Sequence, residues 1–433
     1  MAQVSHALAR LKADPLGDLP IADRVERVLG EEKVQWRDRL LPPLVTLRLL
    51  LVQIAHGNCA IAALRQLSGV AFAPSSYCEA RARLPVILLQ SVLEWVRDAA
   101  AAHVAAAATT AAHLARRVLV VDGSSYSVPD APELAAHFHL PQQTRPGVGY
   151  PAGKLMGLLD LATGMFVSLL ALPLFGHDVR GAVEAHPMLR IGDILLGDRA
   201  FCSFAHLALL NARGVFACVR LHQRRKVRGP GVQRWKKERK PPAWMTAAQY
   251  ALLPDVVEVR IVSYTVEHKG FRTTHVLIAT TLTDEVLWPD ARIAELYGHR
   301  WHIETCFAHL KTTMGMNVLR CRTVDGVTKE LAAYLAVYNP SASSGQALVR
   351  LIMLKAAARQ AVDARRVSFV DALRLLAARL IGLAGVTTLI VNPERPGRSQ
   401  LRVIRRRGKE YDWLLKPRRE KEAEVRRKQA DIG

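Results

Sequence analysis

Hydrophobic positions along this chain keep two different rhythms. Up to about Ala112 the spacing is helical, over Leu44 to Ile54, Cys59 to Leu67, Ser76 to Leu84 and Leu88 to Ala99. A turn of roughly 100° per residue brings every third or fourth side chain onto one face. Basic residues interleave with the apolar ones, as in Tyr77-Cys-Glu-Ala-Arg-Ala-Arg83. Small helical bundles of this kind bind DNA about as often as they cap a larger domain, and the pattern leaves both open. The rhythm changes at Arg116-Arg-Val-Leu-Val-Val-Asp122, an aliphatic run that ends in an acid. Such a run reads as a buried strand. Further strands are expected at Lys154 to Asp160, Met165 to Leu172, Ile191 to Gly197 and Val215 to Arg220, with helices near Val179 to Met188 and Phe204 to Arg213. The fold class is therefore α/β, with no strict alternation of strand and helix.

From Arg220 to Lys240 the character shifts again. Arg224, Arg225, Lys226, Arg228, Arg234, Lys236, Lys237, Arg239 and Lys240 crowd together around Trp235, and Gly-Pro-Gly occupies 229–231. Strand-like runs follow at Val256 to Tyr264 and Thr273 to Thr281. A solvated loop in a β-hairpin insertion is the plain reading. Phosphate contact fits better, because hardly any acids neutralise the cluster; Arg224, Arg225, Lys226, Lys236 and Lys237 are the candidates. The tail beyond Val391 is also dense in Arg, and 416–430 has the composition of a charged helix. A loose basic arm and a partner-binding helix both suit it.

Composition turns these local clues towards a polyanion. The 433 residues are enough for roughly two or three domains. Half of them are hydrophobic, so a sizeable core is expected. Sixty Lys and Arg oppose 38 acids, for a net charge of +22 and a pI of about 10.2. Neutralising phosphates releases counterions, so such an excess favours a nucleic acid, although ribosomal and membrane-surface proteins are also basic. No transmembrane span is expected: the most apolar early run, Leu40 to Ala55, is broken by two prolines and Arg48. The Ala-rich 99–112 stretch suits a helix or linker. Six cysteines are scattered without a CxxC pair, which argues against a zinc site and for reduced thiols in cytoplasm.

The most informative segment is Tyr297-Gly-His-Arg-Trp-His-Ile-Glu-Thr-Cys-Phe-Ala-His-Leu-Lys311. On one helix, Tyr297, Arg300, Glu304 and Lys311 fall within about 60° and form a polar strip about four turns long. Leu296, Ile303, Phe307, Leu310 and Met314 form an apolar stripe roughly 80° around the same helix. An ordinary amphipathic helix would carry mixed charges opposite its core. Here an aromatic, two cations and one carboxylate line up beside the core, which suits a metal-ligating carboxylate next to a phosphate backbone.

Tyr297, Arg300, Glu304 and Lys311 match, spacing included, the YREK signature, and the chain resembles the insertion-sequence-four family of DDE transposases. Val121-Asp122-Gly-Ser-Ser-Tyr-Ser-Val-Pro-Asp130 and Leu196-Gly-Asp198-Arg-Ala-Phe-Cys-Ser203 are similar to that family's first and second Asp motifs. Tyr77-Cys-Glu-Ala-Arg-Ala-Arg-Leu-Pro85 and the basic tail extend the resemblance over nearly the whole chain. It implies a ribonuclease-H-like catalytic core, with Asp122 on the first strand, Asp198 at the end of the fourth and Glu304 on a later helix. In that scheme a helical, DNA-binding domain covers 1–112, the catalytic domain 113–390 with a β-strand insertion at about 221–290, and a basic C-terminal tail 391–433. Asp122, Asp198 and Glu304 are then both catalytic residues and ligands of two Mg²⁺ ions, with Mn²⁺ as a substitute.

Tyr297, Arg300 and Lys311 would grip phosphates near the cut. Trp301 has two readings, a stack on a flipped base or an ordinary core residue. The expected partner is double-stranded DNA, as terminal inverted repeats and target, bound by a homodimer in the bacterial nucleoid. Asp130, Asp160, Asp178 and Asp193 are rival acids, read as turn, cap or surface residues; Asp193 begins the strand that Asp198 ends. His299, His302 and His309 lie off the strip. One departure stands out: Pro340-Ser-Ala-Ser-Ser-Gly-Gln-Ala347 interrupts an apolar run expected to continue from Tyr338-Asn339 into Leu348 to Met353. Two alternatives remain: a nuclease that cuts without joining, and an inactive or domesticated DNA-binding derivative.

Overall fold

The computed structural model describes residues 21–36, 40–68, 70–91, 94, 116–141, 149–266, 274–338, 349–363, 366–372, 388–392 and 418–430. The interruption at 340–347, the Ala-rich stretch at 99–112 and the basic run at 395–407 lie outside them.

One eight-stranded mixed sheet organises the protein, in the order β3-β2-β1-β4-β5-β8-β7-β6. Its strands are β1 (Val118–Ser127), β2 (Ala152–Asp160), β3 (Met165–Pro173), β4 (Ile194–Gly197), β5 (Phe216–Arg220), β6 (Gly231–Lys236), β7 (Val256–Val266) and β8 (Thr274–Thr280). β1, β2 and β3 pair antiparallel, β4 lies parallel to both β1 and β5, and the last three strands extend the sheet antiparallel. The expected α/β layout is present, and each expected strand forms within a few residues of its place. β6 is additional. The strands within 221–290 continue the same sheet, because β8 bonds directly to β5.

Alternation along the strands divides the interior in two, since successive side chains point to opposite faces. Val118, Val120, Leu155, Leu159, Ile194, Leu196, Cys218 and Ile278 face one core. Leu119, Val121, Met156, Leu158, Leu195, Ala217, Val219 and Ala279 face the other. Continuous aliphatic runs such as Val118-Leu-Val-Val121 mark strands covered on both sides.

The N-terminal region is helical: α1 (Ile21–Glu31), α2 (Pro43–Ala55), α3 (Ile61–Ser68) and α4 (Pro74–Arg83). Pro43 and Pro74 sit in first turns, where a missing N–H costs nothing. α2 is mostly apolar because it is sandwiched. Leu47, Leu50, Leu51 and Ile54 join the first sheet core, while Leu49 and Val52 pack with Leu64, Tyr77 and Ala80. The sheet itself carries α5 (Pro132–Phe138), α6 (Asp178–Glu184), α7 (Phe204–Ala212) and α8 (Ala247–Ala251). Later come α9 (Asp290–Gly298), α10 (His302–Ala308), α11 (Val324–Tyr338), α12 (Val349–Gln360) and α13 (Arg418–Ala430).

α11 is buried almost throughout, including Lys329 and Glu330. Charges so placed must be fully partnered. Lys329 Nζ donates to the Ala82 carbonyl at 2.8 Å and pairs with Asp325. Glu330 accepts from Asn58 Nδ2 at 2.6 Å and from the amides of Arg320 and Cys321. These contacts fasten the N-terminal helices to the sheet domain. Among the described residues no helix is long and apolar enough to cross a membrane.

Candidate active site

Strand register brings two aspartates level with each other. β1 and β4 run parallel with Val120 opposite Leu196, both in the first core. Asp122 and Asp198 lie two residues further along each chain, so they extend the same face at neighbouring strand positions. Asp198 follows the last residue of β4, and its Oδ1 caps the 3-10 turn Arg199–Phe201 by accepting from the Ala200 amide at 2.7 Å. Asp122 Oδ1 accepts from the Gly123 amide at 2.8 Å.

Glu304 arrives from α10, which packs against β1 on that same face. Between the acids stands Arg300. Its Nη1 lies 3.2 Å from Asp122 Oδ2, and its Nη2 lies 3.4 Å from Glu304 Oε1. The guanidinium also covers the half-buried Trp301 ring at 4.4 Å. Burial opposes the charge of Arg300, yet Tyr297, Asp122, Glu304 and Asp198 together push its pKa above the ordinary value. Burial raises Asp122 to about 6; Arg300 and the Gly123 amide oppose the rise, and the charges of Asp198 and Glu304 add to it. All three acids therefore share one electrostatic environment.

The segment from Tyr297 to Lys311 is not the single regular helix expected from its spacing. α9 ends at Gly298, a 3-10 turn covers His299–Trp301, α10 follows, and His309–Thr313 widens into a π turn. Such turns displace a helix locally and recur at functional sites. Lys311, on the π turn, donates to Ser124 Oγ at 3.2 Å, one alternate residue beyond Asp122 on β1. Burial lowers the Lys311 pKa. Tyr297 does not share the open strip: the residue is 6% exposed and belongs to the first core. The apolar stripe is wide enough to take it in. Burial pushes its phenol well above the ordinary range.

Gly157 has no counterpart in the sequence reading. It pairs with Asp122 across β1 and β2. A Cβ there would stand 2.8 Å from both Phe166 and Phe307. Its bare backbone makes room for the tip of the Phe307 ring, one turn after Glu304. The rival acids are occupied elsewhere. Arg117 bridges Asp160 and Asp193, and Lys154 holds Asp178 at 2.8 Å. His302 Nδ1 contacts the His299 carbonyl, and His309 stacks on Phe369.

The basic cluster separates into two groups. Arg225 pairs with Glu238 at 2.7 Å and lies over the buried Trp235 ring at 4.1 Å. Lys237 donates to the carbonyls of Ala251 and Leu253 and faces Tyr250. Both are held within the fold. Arg224, Lys226 and Lys236 are exposed.

Among the described residues no three His, Cys, Asp or Glu side chains form a ready-made metal cluster. The donor chemistry nevertheless fits a hard divalent cation. Every candidate ligand is a carboxylate oxygen, and two further acids, Asp198 and Glu304, act on the buried Asp122 beside the single cation Arg300. Level aspartates on adjacent parallel strands thus meet a glutamate and a buried arginine that face them from a helix. Residues 113–339 match the family described as Transposase DDE domain, and the chain belongs to that family. It is also similar to the transposase InsG for insertion sequence element IS4 of Escherichia coli (strain K12), at 30% identity over 259 residues. That match covers 55% of this chain and 53% of the relative, so the chain spans about half the length of the curated protein it matches.

Proposed function

We propose that this protein is the DNA transposase of an insertion sequence, cutting DNA at the element's ends and joining those ends to target DNA. Arg300 bridging Asp122 and Glu304, with Asp198 beside them, carries the proposal. The strand order supports a ribonuclease-H-like core, with Asp122 on the first strand, Asp198 at the end of the fourth and Glu304 on a helix after a β-rich insertion. In this reading residues 1–112 form the DNA-binding helical domain, 113–390 the catalytic domain and 391–433 a basic tail.

Asp122, Asp198 and Glu304 would hold two Mg²⁺ ions, or Mn²⁺ in their place. Bound there, the ions supply Lewis acidity to an attacking water or 3′-hydroxyl and to the leaving oxygen of a phosphodiester. The chain's own residues arrange the rest. Arg300 neutralises the site while it is empty of substrate, and turns its guanidinium towards a phosphate oxygen when one enters. Lys311, on the same face as Asp122, grips the next phosphate. Asp122 and Glu304 keep Arg300 in place, and Trp301 flanks it as a flat surface for a base. Arg224, Lys226 and Lys236 track the DNA backbone further out, on a hairpin that Arg225 and Lys237 brace. Two copies of the chain on paired element ends complete the assembly.

The test uses the DNA that flanks the gene on both sides. Oligonucleotides carrying those flanks should be nicked at a fixed position in the presence of Mg²⁺ and then joined to a plasmid. Cutting without joining would favour a plain nuclease, and binding without cutting would remove the enzyme reading.

A further inference from the structure

Two buried histidines lie behind the turn that carries Asp198, away from the acidic centre. His206, on α7, is fully buried, and His186, in the 3-10 turn His186–Met188, is 3% exposed. Their Nε2 atoms are 3.1 Å apart and their ring planes lie within 16° of each other, edge to edge. His206 Nδ1 lies 2.8 Å from the carbonyl oxygen of Phe201.

This geometry fixes where the protons are. A carbonyl only accepts, so His206 carries its hydrogen on Nδ1 and leaves a lone pair on Nε2. The hydrogen between the rings then belongs to His186. Burial holds both rings neutral, lowering His206 to about 4 and His186, with His206 and Arg213 adding to the effect, to about 3.

An apolar pair would fill this space without the desolvation cost of buried imidazoles. What the imidazoles add is one directed bond to a backbone carbonyl. Phe201 closes the turn Arg199–Phe201 that Asp198 opens and caps. Gly197, just before Asp198, packs so closely on Phe201 that an added Cβ would lie 3.0 Å from its ring. The turn is thus clamped at both ends, by Phe201 packing on Gly197 and by His206 holding the Phe201 carbonyl. A shift of that carbonyl would be passed back to Asp198 through a rigid turn.

We propose that His206, with its tautomer set by His186, is the positioning residue for Asp198, its Nδ1–H bond to the Phe201 carbonyl holding the turn that aims the carboxylate into the site. The proposal rests on Asp198 belonging to the DDE centre. Supports of this kind, one bond removed from a ligand, change metal affinity or activity by about 10–100-fold when lost.

The test compares His206→Leu, which keeps bulk but cannot donate, with His206→Asn, whose amide can donate from nearly the position of Nδ1. Full-length variants are assayed for Mn²⁺ affinity by calorimetry without DNA and for single-turnover cleavage, with Asp198→Asn as reference. H206L should fold, bind DNA as the parent does, and lose about 10–100-fold in both Mn²⁺ affinity and cleavage. H206N should recover to within a few-fold of the parent. Nitrogen-15 spectra of the parent, metal-free, should show His206 with a protonated Nδ1 and a bare Nε2. An Nε2-protonated His206 overturns the proposal without any variant, as does H206N falling as far as H206L. A parent that cleaves, beside an inactive D198N and an unaffected H206L, overturns this proposal alone. A parent that neither binds Mn²⁺ nor cleaves overturns the transposase reading with it.

Discussion

Two charge clusters flank the short strand β4 and are built from the same parts. At its amino end Arg117 bridges Asp160 at 3.1 Å and Asp193 at 3.2 Å. At its carboxyl end Arg300 bridges Asp122 at 3.2 Å and Glu304 at 3.4 Å. The amino-end acids also accept backbone amides, Asp160 from Ala162 and Thr163, and Asp193 from Arg190. That cluster closes on itself. At the carboxyl end a third carboxylate, Asp198, stands beside the bridged pair, and the arginine is 9% exposed against 23% for Arg117. Burial raises Asp193 as well, although the Arg190 amide and Arg117 oppose it. Only Asp122 faces two further acids with one shared cation. The two ends thus differ in how their acids are satisfied: backbone amides and Arg117 close the amino-end cluster, whereas the carboxyl end sets three carboxylates around one buried arginine.

The sharpest way to break this contrast is to remove acids from each end. Asp122→Ala, Asp198→Ala or Glu304→Ala should each reduce Mg²⁺-dependent cleavage by roughly a thousandfold or more, with binding to DNA ends largely kept. Asp193→Ala should do the reverse: cleavage by the folded protein persists, while denaturant melts show a loss of about 1–3 kcal/mol. Cleavage surviving in any of the first three variants removes that residue from the centre.

The next effect concerns what was legible in the sequence. Strands announced themselves where aliphatic runs end in an acid, as at Val118 to Asp122, because that pattern needs no partner to be read. β6 did not, because its alternation is written in charges: exposed Val232, Arg234 and Lys236 alternate with buried Trp235. The polar strip was visible, but its break into 3-10 and π turns was not, since both keep helical composition. Gly157 was invisible for a plainer reason, its meaning being supplied by Phe307 far along the chain. Gly157→Ala should cost about 1–3 kcal/mol through overpacking. It should also slow cleavage by about a hundredfold, because a catalytic group displaced by about 1 Å loses that much. A full-rate G157A would mean that α10 adjusts without moving Glu304.

A third measurement separates the two ends by pH. Asp122 is raised from 3.8 to about 6, so in the metal-free chain its neutral form favours folding. That contribution, on the order of 3 kcal/mol, is complete below about pH 4 and is lost as pH rises through about 6. Asp122→Asn should remove this part of the pH dependence from metal-free melts. Cation binding has the opposite sign, because a ligand must be deprotonated. Mn²⁺ affinity should fall by about tenfold per pH unit below pH 6 and level off above about 7. A flat profile from pH 5 to 8 would show that Asp122 does not gate the site.

The smallest effect tests the basic hairpin, where the sequence grouped residues that the fold separates. Lys236, Arg239 and Lys240 are exposed, whereas Lys237 is bonded to the Ala251 and Leu253 carbonyls. A cation that neutralises a DNA phosphate contributes roughly 0.9 to the slope of log affinity against log salt. Replacing Lys236, Arg239 and Lys240 together by Ala should therefore flatten the slope by up to about 2.7 and weaken binding to any DNA sequence alike. Lys237→Ala should leave the slope alone and lower the melting temperature, because it frees two carbonyls and uncovers Tyr250. If the triple variant keeps the parental slope, the hairpin faces solvent in the complex. If Lys237→Ala changes the slope as much as one exposed lysine does, its amine leaves the carbonyls for DNA. The assignment of Lys237 as a brace then fails.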